Sequence, residues 1–67
     1  MKYEKEIKKL LSDVFRESWM NESDWQEFLS DDRIIVRMNN ISKDIEEGIK
    51  NGYTVDEQIA IVKFIFK

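Results

Sequence analysis

Tyr3, Ile7, Leu10, Leu11, Val14 and Phe15 recur at spacings of three and four, and Ser18 and Trp19 continue the series. That period gathers apolar side chains onto one stripe of a helix. Lys2, Glu4, Lys5, Glu6, Lys8, Lys9, Asp13 and Arg16 occupy the opposite face. Glu4 and Lys8 form an i,i+4 pair of the favourable orientation, worth about 0.2–0.5 kcal/mol. The pattern predicts a helix over 2–19. Met20-Asn21-Glu22-Ser23 interrupts it. Ser23 with Gln26 three residues later reads as a capping box. Asp24 and Glu27 then stand near the positive end of a new helix, where acids are favoured. Trp25, Phe28 and Leu29 share a face, which predicts a short helix over 24–30.

The next segment supports two readings. Ser30-Asp31-Asp32 is a helix-start signal. Ile34, Ile35, Met38, Ile41, Ile45 and Ile49 keep the helical period, and Asn51-Gly52 supplies a stop in which glycine takes the left-handed conformation. These features predict one long helix over 32–51. Ile34-Ile35-Val36 is β-branched, however, and Asn39-Asn40 are poor helix formers. They leave open a strand at 33–38 followed by a helix from Ser42 to Lys50. The long helix is preferred because the period persists on both sides of the asparagines.

Thr54 with Glu57 forms a further capping box, with Asp56 as another acid in the first turn. The helix that follows runs from Val55 to about Phe66. Val55, Ile59, Val62 and Phe66 make one apolar face, but Ala60, Ile61, Phe64 and Ile65 cover the others. A helix apolar all round is normally buried on every side. The competing reading is a strand over 59–66, favoured by its β-branched residues and paired with 33–38. The expected fold is therefore all-α, a small single-domain bundle over 1–67 of three longer helices and one short helix, packed antiparallel through short connections. An α+β fold with strands near 33–38 and 59–66 is the alternative.

The chain has 67 residues, with no His, Cys or Pro. That length allows one domain, whose core supplies roughly 3–5 kcal/mol of stability. Lack of His and Cys removes the commonest general base, the softest nucleophile, disulfides and the usual zinc sites. A small-substrate cavity of about 300 Å³ or more would hollow out a core this small. A non-enzymatic role is expected, with no cofactor and no metal. The N-terminal stretch has charges among its apolar positions and so lacks a secretory h-region. Ile59–Phe66 is far too short to span a bilayer, which needs about 20 residues. The expected setting is cytoplasmic, without a membrane partner. Richness in Ile, Lys and Asn with one Ala matches the flavour of proteins from low-GC bacteria and their phages.

The net charge of -3 is unevenly distributed. Residues 1–20 and 33–67 are each slightly basic. Residues 21–32 hold Glu22, Asp24, Glu27, Asp31 and Asp32 with no basic residue. Trp25 and Phe28 lie in the same stretch, and Trp19 and Met20 just precede it. Acids around large aromatics suit a partner protein with a basic groove: rings bury, charges steer encounter. The candidate partner-binding set is thus Trp19, Glu22, Asp24, Trp25, Glu27, Phe28, Asp31 and Asp32. The ordinary alternative is that Trp25, Phe28 and Leu29 face the core and the acids are caps and solvated surface. Ile61, Phe64 and Ile65 on the last helix are candidates for self-association, possible as a homodimer, because so short a chain has little capacity to hide them.

Residues 44–64 also have the layout of a helix-turn-helix around Gly52. The first turn of the second helix would carry Asp56 and Glu57 towards phosphates, where Lys and Arg are needed, so the charge disfavours nucleic acid as a partner. Lys2, Lys5, Lys8, Lys9 and Arg16 form the one basic face that could meet duplex DNA. The clustered acids could instead mimic DNA, although eleven basic residues dilute their field. Asp31-Asp32 and Glu46-Glu47 lack the loop spacing of a calcium site. The expected function is a small acidic protein-binding module that regulates or inhibits a macromolecular partner. A DNA-binding or DNA-mimic regulator and a homo-oligomeric structural subunit are the alternatives.

Overall fold

In the computed structural model, which describes residues 1–66, each stretch of helical period contains a helix and none of the described residues is in a strand. The elements are α1 (Glu4–Phe15), α2 (Glu22–Leu29), α3 (Asp32–Lys50) and α4 (Val55–Phe66). The fold is an all-α bundle of three longer helices and one short one. Among the described residues, no helix is long and apolar enough to cross a membrane.

The strand readings of 33–38 and 59–66 are overturned, for local reasons. Asp31 caps α3: its carboxylate accepts from the Arg33 N–H at 2.8 Å. That satisfies an orphan donor of the first turn. Met38, Ile41 and Ile45 then point inward while Asn39 and Asn40 lie exposed. The asparagines cost only their weak propensity, which core burial on the same helix outweighs. Thr54 and Glu57 form the expected reciprocal cap of α4, at 3.0 and 3.1 Å.

Two boundaries differ from expectation. The first helix is shorter than 2–19. It starts after Tyr3, which sits in the left-handed region at φ 62° without a side-chain cap, and it stops at Phe15, with Arg16 extended. The second begins earlier than 24. Its capping box is Asn21 with Asp24, at 2.9 and 3.3 Å, rather than Ser23 with Gln26. Gln26 is instead engaged with Glu22, donating to its carboxylate at 2.9 Å.

α3 and α4 are joined by a tight turn and run antiparallel. The Tyr53 N–H reaches the Gly48 carbonyl at 2.9 Å and the Gly52 N–H reaches that of Ile49 at 3.1 Å, with Gly52 at φ 94°. This is the Schellman closure, and its positive φ calls for glycine. α1 and α4 are parallel to each other, contrary to a uniformly antiparallel bundle. Asp13 meets Lys63 at 3.4 Å and Phe15 meets Phe66 with ring centroids 5.6 Å apart, so their C-terminal ends coincide. The chain reaches α3 from α1 by sending α2 across that end. At the opposite end, the Ser42 hydroxyl donates to the Lys2 carbonyl at 2.9 Å and pins the start of the chain to α3.

Ile7, Leu10, Leu11 and Ile45 are fully enclosed, surrounded by Trp25, Leu29, Met38, Ile41 and Val62. Gln58 is the unexpected occupant. It is buried on α4 against Gly48, where any Cβ would overlap its side-chain amide. The absence of a Cβ at Gly48 therefore makes the room that the Gln58 amide occupies.

Two substitutions test this packing. Trp25 is 5% exposed, and truncating a buried Trp typically costs about 3–5 kcal/mol. Since the whole domain holds only about that much, Trp25→Ala should abolish the cooperative urea transition followed by circular dichroism. Gly48→Ala should stabilise by about 1 kcal/mol in a Gln58→Ala background, where helix propensity acts alone. In the wild-type chain it should gain less, and urea titrations of the four proteins in the cycle measure the coupling.

Candidate functional site

The exit from α1 shapes the most distinctive surface. Arg16 leaves the helix extended; its guanidinium reaches Glu22 at 3.4 Å and lies 5.6 Å from the Trp25 ring centroid. A turn follows, closed by the Met20 N–H on the Glu17 carbonyl at 3.1 Å. It carries Trp19 off the apolar stripe of α1 and leaves it 72% exposed. The Asn21–Asp24 cap then starts α2 at once.

α2 and the first turns of α3 are connected only through Ser30 and Asp31. Between them lies an open groove of about 540 Å³. Trp19, Met20, Phe28 and Ile34 give it apolar surface, and Asp24, Glu27 and Asp31 line it with acid. Arg33 and Arg37 project from the α3 side. Phe28 is held from beneath, stacked on Trp25 at 5.1 Å and tilted against Phe15 at 6.0 Å, so the floor rests on the core.

The expected docking residues are therefore divided. Trp19, Asp24, Glu27, Phe28 and Asp31 are brought together around the groove. Trp25 is not a docking residue: its indole is in the core, because the stripe it shares with Leu29 is the face α2 turns to the bundle. Glu22 and Asp32 lie outside the groove lining. The Glu22 carboxylate is occupied by Gln26 and Arg16. Arg33 and Arg37 were missed, and they make the groove mixed in sign rather than wholly acidic. Their i,i+4 spacing around Ile34 was the available signal.

Asp31 and Arg33 are joined through both carboxylate oxygens, at 3.3 and 3.2 Å. Hydrogen bonds from the Arg33 side chain, then from its backbone N–H, hold the Asp31 carboxyl below its ordinary value. The Glu22 carboxyl is lowered as well, chiefly by the Gln26 amide. Groups held ionised in this way accept hydrogen bonds and attract cations; they are poorly suited to deliver a proton near neutral pH.

Elsewhere, the basic face of α1 is largely matched by acids. Lys2 faces Glu46 at 3.7 Å, Lys8 faces Glu4 at 3.5 Å, and Arg16 faces Glu22. Asp56 and Glu57 are exposed on the first turn of α4. Ile61, Phe64 and Ile65 form an uncovered strip on α4, with Phe64 82% exposed. In comparisons with family models, curated proteins and solved structures, nothing matches the chain.

The two lowered carboxyls fix the sign of an acid effect. The native state holds its protons less tightly there than the unfolded chain does. The stabilisation is present above the ordinary carboxyl range and is lost as pH falls through the lower native values. Urea midpoints should stay level from neutral pH to about 5 and decline below about 4. Asp31→Asn, which keeps a side-chain cap for α3 but not the charge, should flatten part of that decline.

Proposed function

We propose that the protein is a non-catalytic binding module. Its α2–α3 groove receives an apolar, cation-bearing segment of a larger protein in the cytoplasm, and so regulates or inhibits it. The observation that carries this reading is Trp19, held largely in water at the edge of a groove floored by Phe28, Met20 and Ile34. A large indole presented beside supported apolar surface has the character of an interface hot spot, where truncation costs about 2 kcal/mol or more. The groove is open along its length, so a small ligand would leave the indole wet, whereas a protein surface would cover it.

Charge supports a basic segment as occupant. Glu27 takes part in no ion pair among the described residues, and Asp24 lines the same groove. Arg33 has its charge balanced by Asp31, and the guanidinium of Arg37 lies over the Phe66 ring at 5.3 Å, so two carboxylates face one unpaired guanidinium in the groove. Rim carboxylates of this kind speed encounter with a cationic partner and discriminate against acidic ones. The groove's carboxylates and guanidiniums, without histidine or cysteine, favour recognition over catalysis.

Affinity capture with three forms of the chain tests the assignment. Trp19→Ala combined with Glu27→Lys alters the groove and leaves the caps of α2 and α3 in place. Phe64→Lys alters only the far side of α4. A bound protein should be retained by wild type and by Phe64→Lys, weakened about thirtyfold or more by the groove pair, and released by added salt. Retention by the groove pair at wild-type strength, with circular dichroism confirming that all three are folded, would refute the groove as the binding site.

A further inference from the structure

We propose that the seam between the end of α3 and the start of α4 is a binding site for an alkylguanidinium group, with the Gln58 amide and the Asp44 carboxylate as its acceptors. Gln58 is only 9% exposed. Its amide lies over Gly48, in the room left by the missing Cβ. Among the described residues, that amide takes part in no hydrogen bond. No side-chain polar atom among them is sealed from solvent without a partner, so the amide must keep an opening. The pocket of about 320 Å³ that it lines is that opening. A buried amide with its donors and acceptor unmet is a costly occupant of an apolar seam. Methionine would fill a similar length without that cost. The amide makes sense for what it faces.

The rest of the pocket selects the ligand. Asp44 stands one helical turn before Gly48 on α3 and lines the same pocket. Among the described residues its carboxylate takes part in no ion pair. The nearby cations are engaged elsewhere: Arg33 pairs with Asp31, and Arg37 lies over Phe66. Glu47 also reaches this rim, but it shares an adjoining groove with Lys43 and Lys50 and is matched there. Asp44 is therefore the carboxylate with charge to spare. Ile61, Val62 and Ile65 form an apolar wall along α4, and the half-exposed Tyr53 ring closes the end. A guanidinium meets all of these features. Its planar fork donates to a carboxylate on one side and an amide oxygen on the other, and it stacks on an aromatic face. It is more weakly hydrated than an ammonium, which suits a half-apolar pocket. Its alkyl stem lies against the apolar wall. This site is on the opposite side of α3 from the acids of α2 and does not depend on the proposed docking function.

Nuclear magnetic resonance titration of the whole chain with n-butylguanidinium, at constant ionic strength, tests the site. The Gln58 side-chain amide and the Val62 methyls should shift together, with a midpoint of about 5–10 mM for so small a ligand. n-Butylammonium should bind about fivefold more weakly, and 1-butanol should leave the Gln58 amide unmoved. A capped Ala-Arg-Ala peptide separates the two sources of the group. A midpoint about tenfold lower assigns the pocket to a peptide-borne arginine, and an equal one to the free alkylguanidinium. Asp44→Asn, at an exposed position, and Gln58→Met should each raise the midpoint about tenfold, with circular dichroism confirming the fold. Glu27→Gln, in the α2–α3 groove, should leave it unchanged. A Gln58 amide that does not move up to 100 mM would overturn the proposal, since the amide is then merely hydrated. So would equal midpoints for wild type and Asp44→Asn, or the same response to 1-butanol as to n-butylguanidinium.

Discussion

Four aromatic rings in unbroken contact close one end of the bundle, and most of the surface follows from them. Trp25 stacks on Phe28, Phe28 tilts against Phe15, and Phe15 meets the edge of Phe66. The series links α2 to α1 and α1 to α4, the two parallel helices that also share the Asp13–Lys63 ion pair near these ends. Each such pair contributes about 0.5–1.5 kcal/mol beyond burial of its area, a large share of what a domain this small holds. Arg16 over Trp25 and Arg37 over Phe66 cover the two ends of the series. Cation–π contacts at exposed sites add about 0.5–1 kcal/mol each. Once α2 is fixed across the end, its acidic edge must face α3, and the groove between them is the consequence.

The helical content was legible because the three–four period is strong and the caps are explicit. Asp31 and Thr54 behave as their positions imply, and Asn51-Gly52 ends α3. The errors have specific causes. Periodicity alone extended α1 to Trp19, since nothing in a stripe of apolar residues marks the point where the chain must turn to bring Phe15, Phe28 and Phe66 together. Asn21 and Ser23 are both competent caps, each with a suitable partner three residues on, and the sequence offers no ground for choosing between them. The parallel arrangement of α1 and α4 is a long-range fact, set by how α2 crosses the bundle.

The candidate site was legible in its composition and not in its geometry. One acidic, aromatic stretch supplies most of the groove, but which of its two tryptophans faces the core depends on the exit angle of α1. Arg33 and Arg37 could be placed on one side of α3 from their spacing; that this side meets the acids of α2 required the fold. The exposure of Ile61, Phe64 and Ile65 follows from the apolar wheel of α4 together with the small size of the chain. Three helices each hide one stripe, and α4 carries more apolar residues than one stripe can hold.

The division of labour between the two indoles gives the molecule a built-in optical contrast. One chromophore is wedged against Phe28 and a guanidinium in the interior; the other stands in bulk water on a connecting turn. Their emission should differ in wavelength and in access to a soluble collisional quencher, so the buried ring serves as an internal standard for the exposed one. An event at the connecting turn and a loosening of the interior would then leave separate signatures in a single unlabelled sample.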